Sequence, residues 1–204
     1  MSKLKKQLKE FETFKANYNF KMRNLTEIDG EVFYEKILIK DKEGNITPIG
    51  ENFVNVGYKL KNPLSKVLSN LFPYSFVFQG KTVASLESVF QGIKFQNKKA
   101  QNLVLSLSGT DAVHIKVAAE KDWKEYGILF WQGKPMDRHS PEYTQFINEL
   151  YISAIQNPLY KQALINAGNF YIMHSMGELE EGKTVFTRYE FECMLNCLKD
   201  FLKK

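Results

Sequence analysis

Glu87, Gln91 and Lys94 stand four and three residues apart in the run Ser85–Phe95, SLESVFQGIKF. On a helix that spacing puts an acid, an amide and a base along one side. Such a pair can move protons, and a lysine screened from water can attack an aldehyde-like carbon. Glu87 falls in the first turn, where the helix dipole favours an ionised carboxylate, so it is expected to serve as a base or as an anchor for hydroxyls. Helical rise places Lys94 about 10 Å further along the axis, which leaves room for a substrate between the two. The competing reading is a plain surface strip. Three further groups carry chemistry. Ser69 and Asn70 form a polar corner before the strip. Trp131 and Arg138 suggest an aromatic platform beside a guanidinium, suited to a stacked base and a phosphate, or else a core Trp and a surface ion pair. His174 follows an apolar run and precedes Gly177, either as a site residue or as a satisfied structural His.

The wider sequence excludes several classes. Cys193 and Cys197, four apart, and the scattered His114, His139 and His174 make no metal tetrad and no disulfide framework, so no metal and no cofactor are expected. There is no Walker or dinucleotide glycine motif and no G-x-S-x-G elbow. No apolar run approaches the roughly 20 residues that span a bilayer, and the basic N-terminus lacks a signal peptide's apolar centre, so a cytoplasmic protein with no membrane partner is expected. Net charge is +5, and of 28 basic residues only Arg23, Arg138 and Arg188 are Arg. A phosphate-bearing partner fits that balance, with Lys59, Lys61 and Lys66 in a loop before the polar corner, and so does simple lysine enrichment.

The positioning elements follow from periodicity. With 204 residues the chain is long enough for one sizeable core. Residues 3–18 read as an amphipathic helix, packed on its own domain or else lying on a membrane or a partner. Residues 31–39 and 46–49 read as a hairpin and residues 53–58 as a strand. Tyr74, Phe76 and Phe78 alternate with smaller or polar residues as a half-buried strand that turns at Gly80. Ser85 can cap the helix that follows, whose buried stripe is Leu86, Val89, Phe90 and Ile93. Residues 99–107 and 111–119 read as short helices, and residues 121–140 as a long irregular connection. Residues 141–156 give a broad apolar face at helical steps, ended by Asn157-Pro158. A short helix spans residues 159–165, and Thr187 with Glu190 forms a capping box before a last apolar helix. Strands precede helices, so the expected class is α+β: a mostly helical single domain with a small antiparallel sheet. Residues 1–60 would form an N-terminal helix and hairpin extension on a main domain of residues 61–204.

Taken in order, these pieces resemble the NADAR superfamily, the YbiA-like proteins. The resemblance rests on Leu68-Ser69-Asn70 with Pro73, Gly80, Glu87 with Phe90-Gln91 and Lys94, Trp131-Gln132-Gly133, Asp137-Arg138, Glu142-Tyr143, His174-Ser175 with Gly177, and Thr187 with Glu190-Phe191. It covers about residues 66–202. At His174–Gly177 the chain departs from the YbiA branch, which carries an Asp and a Trp-Gly near that end. The resemblance implies a compact, mostly helical α+β fold and a metal-independent N-glycosidase. Its substrate would be the ribose–nitrogen bond of an ADP-ribosyl or phosphoribosyl compound, such as an ADP-ribosylated guanine or a riboflavin-pathway intermediate. It also implies a lysine that forms a Schiff base with the opened ribose; Lys94 is the candidate and Lys81 the second choice. Glu87 and Lys94 would be catalytic, and Ser69, Asn70, Gln91, Trp131, Arg138 and His174 would bind substrate. Two alternatives remain: a non-catalytic module that binds ADP-ribose or NAD, and a nucleic-acid interaction protein. The latter is compatible with catalysis if the substrate is ADP-ribosylated nucleic acid.

Overall fold

The structure, a computed structural model, describes residues 2–22, 53–115 and 122–204. The hairpin expected from residues 31–39 and 46–49 lies outside them, as do Arg23 and the end of the helix expected over 111–119.

The hub is α7 (Pro141–Ala154). Its apolar positions recur so closely that nine of its 14 residues are buried, and Ser140 caps it by accepting from the Tyr143 amide at 3.2 Å. Against it packs α1 (Lys3–Ala16), which inserts a fully buried Phe11. α1 also packs on α9 (Arg188–Phe201), where Phe11 meets Phe201 edge to face with ring centroids 5.5 Å apart. The N-terminal helix therefore lies on its own domain. Among the described residues no helix is long and apolar enough to cross a membrane.

The strands are short and pair in twos. β2 (Phe76–Phe78) and β3 (Lys81–Val83) form an antiparallel hairpin, as do β4 (Ile128–Trp131) and β5 (Lys134–Asp137). Both turn on a Gln-Gly pair with positive φ at both residues: 46° and 78° at Gln79-Gly80, 51° and 81° at Gln132-Gly133. A type I′ turn needs that geometry. The segment 121–140, expected to be irregular, thus holds a hairpin preceded by a one-turn helix, α6 (Asp122–Glu125). A third ladder is parallel and joins distant parts of the chain: β1 (Phe53–Asn55) lies beside β6 (Tyr171–Met173), with Val54 opposite Ile172. The α+β class stands, mostly helical, and among the described residues the antiparallel pairing is that of the two hairpins.

The remaining helices among the described residues are α2 (Pro63–Val67), α3 (Leu86–Gly92), α4 (Lys98–Leu105), α5 (Gly109–His114) and α8 (Pro158–Asn166). α3 starts at Ser85, as expected, in a capping box completed by Ser88. It ends sooner than its apolar stripe suggested. Ile93 to Phe95 follow in tightening turns, Lys94 N–H to Gln91 O at 3.2 Å and Phe95 N–H to Gly92 O at 3.0 Å, so Lys94 sits just past the helix. That turn is held by Gln101, which is fully buried. Its amide donates to the carbonyls of Gly92 (3.0 Å), Phe95 (3.2 Å) and Phe130 (2.9 Å), and its oxygen accepts from the Gln132 backbone at 2.8 Å.

Candidate active site

A cavity of about 260 Å³ lies between α3 and the segment linking β6 to α9. On the α3 side the three residues singled out by spacing are joined in a chain. The Gln91 amide NH2 donates to Glu87 Oε1 at 2.7 Å, and Lys94 Nζ donates to Gln91 Oε1 at 2.9 Å. Gln91 therefore fills the gap in which a substrate was expected to fit, and a ligand must face the row instead. Lys94 Nζ also stands 4.7 Å from the centre of the Trp123 ring, a cation–π contact that holds the ammonium in place.

Burial pushes the Glu87 carboxyl above its usual pKa, against the hydrogen bond from Gln91 and the charge of Lys94. The dipole of a seven-residue helix was expected to keep this group ionised. Loss of water outweighs it, because an enclosed carboxylate forfeits hydration that a half-dipole does not replace. Glu87 is thus a carboxyl that holds its proton more readily than an exposed one, as a group that must both take and return a proton requires.

The polar corner is anchored to the same helix. The Glu87 amide donates to Asn70 O at 2.9 Å, and Tyr151 on α7 donates its hydroxyl to Asn70 Oδ1 at 3.1 Å. Burial raises the Tyr151 phenol well above its ordinary value, so it stays a donor. Asn70 is left with its NH2 as the group to offer a ligand, and it lines the cavity. At the next residue the backbone is pressed by α5: a Cβ on Gly109 would come within 2.4 Å of Leu71 O, so only glycine lets the helix approach this corner.

The opposite wall comes from the far end of the chain. His174, directly after β6, lines the cavity with Gly177, Lys183, Phe186, Thr187 and Arg188. Its ring Nδ1 lies 3.0 Å from Val56 O, and its backbone N–H donates to Glu192 Oε1 at 2.8 Å. Glu192 is fully buried and also accepts from Arg188 Nε at 2.6 Å and from the Tyr171 hydroxyl. Asn55 and Ser175 exchange hydrogen bonds at 2.9 and 3.1 Å, which ties this wall to β1. Phe186 stacks on Phe90 with centroids 5.1 Å apart and planes 20° apart, an apolar side to the cavity.

The structure thus brings together Glu87, Gln91, Lys94, Asn70 and His174. It does not bring Ser69, Trp131, Arg138 or Lys81 to the cavity. Ser69 is buried and accepts from the Leu71 amide at 3.3 Å, shaping the corner. Trp131 packs on Phe78 (5.1 Å) and Phe146 (5.3 Å) beside a separate depression. The expected platform of Trp131 with Arg138 does not form, because the β4–β5 hairpin turns the tryptophan onto α7. Arg138 is buried over the Tyr143 ring and pairs with Glu190, whose carboxylate also accepts from the Thr187 amide at 2.7 Å. It acts on the cavity only through that cap. Lys81 lies in β3, Lys59 and Lys61 precede α2, and Lys66 stands in its last turn; none of them lines the cavity.

Sequence reasoning missed Phe186, Arg188 and the buried Glu192 as parts of the site. The capping box at Thr187 marked where α9 begins, and a second rare arginine at its first position was the available signal for Arg188. Among the described residues no three His, Cys, Asp or Glu side chains cluster as metal ligands.

The family profile described as Bacteriophage protein GP30.3 matches residues 63–200, more than half of the chain. The chain belongs to the GP30.3 family. A relative from Enterobacteria phage T4, the "Uncharacterized 17.1 kDa protein in Gp30-rIII intergenic region", is 33% identical over 146 residues. That alignment covers 68% of this chain and 91% of the phage T4 protein. No solved structure matches. The GP30.3 match takes in every residue of the cavity described above and leaves α1 outside it.

Proposed function

We propose that this GP30.3-family protein is a metal-independent N-glycosidase. It would hydrolyse the ribose–nitrogen bond of an ADP-ribosyl or phosphoribosyl compound, as its resemblance to the NADAR superfamily implies. The observation that carries the reading is the hydrogen-bonded row Glu87–Gln91–Lys94 along one wall of a small cavity, with a carboxyl whose pKa is raised. A plain surface strip has no need of an enclosed acid.

The chemistry runs through the opened sugar. Glu87 moves a proton from the glycosidic nitrogen to the ring oxygen, which opens the ring and leaves an imine between C1 and the base. Lys94, as the free amine, adds to C1. A proton passes from the lysine nitrogen to that of the base, the C1–base bond breaks, the base leaves as its neutral amine, and a Lys94–C1 imine remains. Water then adds to C1 and the bond to Lys94 breaks, which releases the sugar aldehyde and restores the amine. Gln91 holds the two groups in register, and Asn70 offers its amide to the sugar. The route needs a hydrogen on the glycosidic nitrogen. Sugars on an exocyclic amine are therefore substrates, and NAD, whose glycosidic nitrogen carries none, is not.

The test is a panel of NAD, ADP-ribosylated guanosine, ADP-ribosylated nucleic acid and ribosylamine intermediates of riboflavin synthesis, with release of the base followed by mass spectrometry. Cleavage of an amine-linked member with the chelator EDTA present, and borohydride trapping of the sugar on Lys94, are the expected results. Normal base release by both Glu87→Gln and Lys94→Ala would sink the assignment. Tight binding of an intact ligand would make the protein a binding module. Lys94 held at once by Gln91 and Trp123 is the feature that favours that second reading.

A further inference from the structure

The wall opposite Glu87 has a chemical preference of its own. Its cationic and anionic groups already answer one another. Arg188 is paired with the buried Glu192, and Lys183 with Glu180 at 2.7 Å. The N-terminus of α9, a natural seat for an anion, is occupied by the carboxylate of Glu190, which takes both the amide and the hydroxyl of Thr187. A phosphate would have to compete with these carboxylates for the same cations.

His174 stands differently. Nδ1 faces a backbone carbonyl, Val56 O, at 3.0 Å. A carbonyl only accepts, so Nδ1 carries the hydrogen and Nε2 of the neutral ring carries the lone pair. The ring cannot turn away. Phe191 packs against it at 5.1 Å between centroids, and its backbone is held by Glu192. A Cβ on Gly177 would come within 2.9 Å of His174 Cδ2, the carbon next to Nε2, so this glycine lets the loop close on the ring edge. Of the two nitrogens, Nε2 is the one left for the cavity that the residue lines.

We infer that His174 is a specificity-determining residue whose Nε2 accepts a hydrogen bond from a ribose hydroxyl, so that this end of the cavity selects a neutral sugar and not a phosphate. The inference rests on the proposed ribosyl substrate and adds which part of it meets which wall: hydroxyls at His174, the anomeric carbon at Lys94. Burial supports it by pulling the imidazole below its ordinary pKa. The charged groups around the ring are Glu192 and Arg188 on α9, Glu178 and Lys183 in the linking segment, and Glu87 and Lys94 across the cavity. Glu192 acts to raise the pKa and Arg188 to lower it, and loss of water decides the sign.

The experiment uses the full chain and ADP-ribose as the probe. Nitrogen-15 NMR of the free protein at pH 7.5 should show a neutral His174 protonated on Nδ1. His174→Asn keeps a donor where Nδ1 was and removes the acceptor. It should keep the fold and weaken ADP-ribose binding on the order of tenfold, the worth of one hydrogen bond. Wild-type affinity should fall as pH drops through the folded His174 value, which lies below the ordinary imidazole value of about 6.5, because Nε2 then gains a proton and becomes a donor; the variant should lack that limb while keeping any that belongs to Glu87. A ring protonated on Nε2, unchanged affinity in a folded His174→Asn variant, or no binding of ADP-ribose to the wild type at millimolar concentration would each overturn the inference. If tautomer and binding behave as expected but no substrate releases its base, the glycosidase reading fails and the His174 assignment stands.

Discussion

Glu87, half-buried on the cavity wall, and Gln101, fully buried, show two opposite uses of an enclosed polar side chain. Gln101 is satisfied on every side and serves the fold, joining the turn after α3 to the β4–β5 hairpin. Replacing it by Leu strands three carbonyls and should destabilise the protein by about 3 kcal/mol, read as a lowered denaturant midpoint. Glu87 is enclosed at the cost of stability, since its raised pKa means that the ionised form is held in an unfavourable place. Glu87→Gln keeps an oxygen to accept from Gln91 and removes that penalty. It should raise Tm at pH 7.5 by about a few degrees while abolishing base release, a pairing expected of site residues and not of packing residues. A variant that lost stability would place Glu87 among the groups that hold the fold. The spacing of Glu87, Gln91 and Lys94 was legible in the sequence; the sign of the Glu87 shift was not. Periodicity reports which side of a helix a residue occupies, and the dipole is a local effect. Enclosure is made by Phe186 and Arg188, a hundred residues downstream.

Among the elements, those with a strong period were legible. The stripe of α7, the Ser85 cap of α3 and the capping box of α9 stand where residue spacing put them. The β4–β5 hairpin was hidden because its turn is Gln132-Gly133, not the Asn-Gly or Asp-Gly that announces a two-residue turn. Gln132 tolerates its positive φ with help from its partners, its backbone and side-chain amides each donating to Gln101 Oε1 at 2.8 Å. Missing that hairpin also misplaced Trp131, which in a loop was free to face a ligand and in a strand packs on α7. The β2–β3 hairpin offers a clean test of turn strain. At Gly80, φ is 78° and a Cβ would meet nothing within 4 Å, so Gly80→Ala adds backbone strain and no clash. It should cost about 1 kcal/mol by thermal or chemical melting and leave turnover unchanged, because β2–β3 does not border the cavity. A larger loss, or a loss of activity, would mean that the hairpin also sets the position of α3.

At the scale of the whole molecule, the two walls of the site act on stability at opposite ends of the pH range. His174 has a lowered pKa, so the unfolded chain binds its proton first. The stability it contributes is present above about pH 6.5 and is lost as pH falls through the folded value. Glu87 has a raised pKa, so the folded protein holds its proton more tightly than the unfolded chain. Its contribution is present at and below the ordinary carboxylate value, about 4.5, and is lost as pH rises through the folded value. One wall therefore weakens the fold on acidification and the other on neutralisation, and the two walls belong to segments that meet only when α3 closes on the β6–α9 link. The expected outcome is separable limbs in a plot of unfolding free energy against pH. His174→Asn should flatten the slope below about pH 6.5, and Glu87→Gln should flatten the fall that begins above the ordinary carboxylate value. In the double variant the two effects need not add, because both groups face one cavity and their charges interact. Denaturant melts at half-unit pH steps on the four proteins decide it. If neither single variant changes its own limb, the cavity walls do not hold these groups away from water.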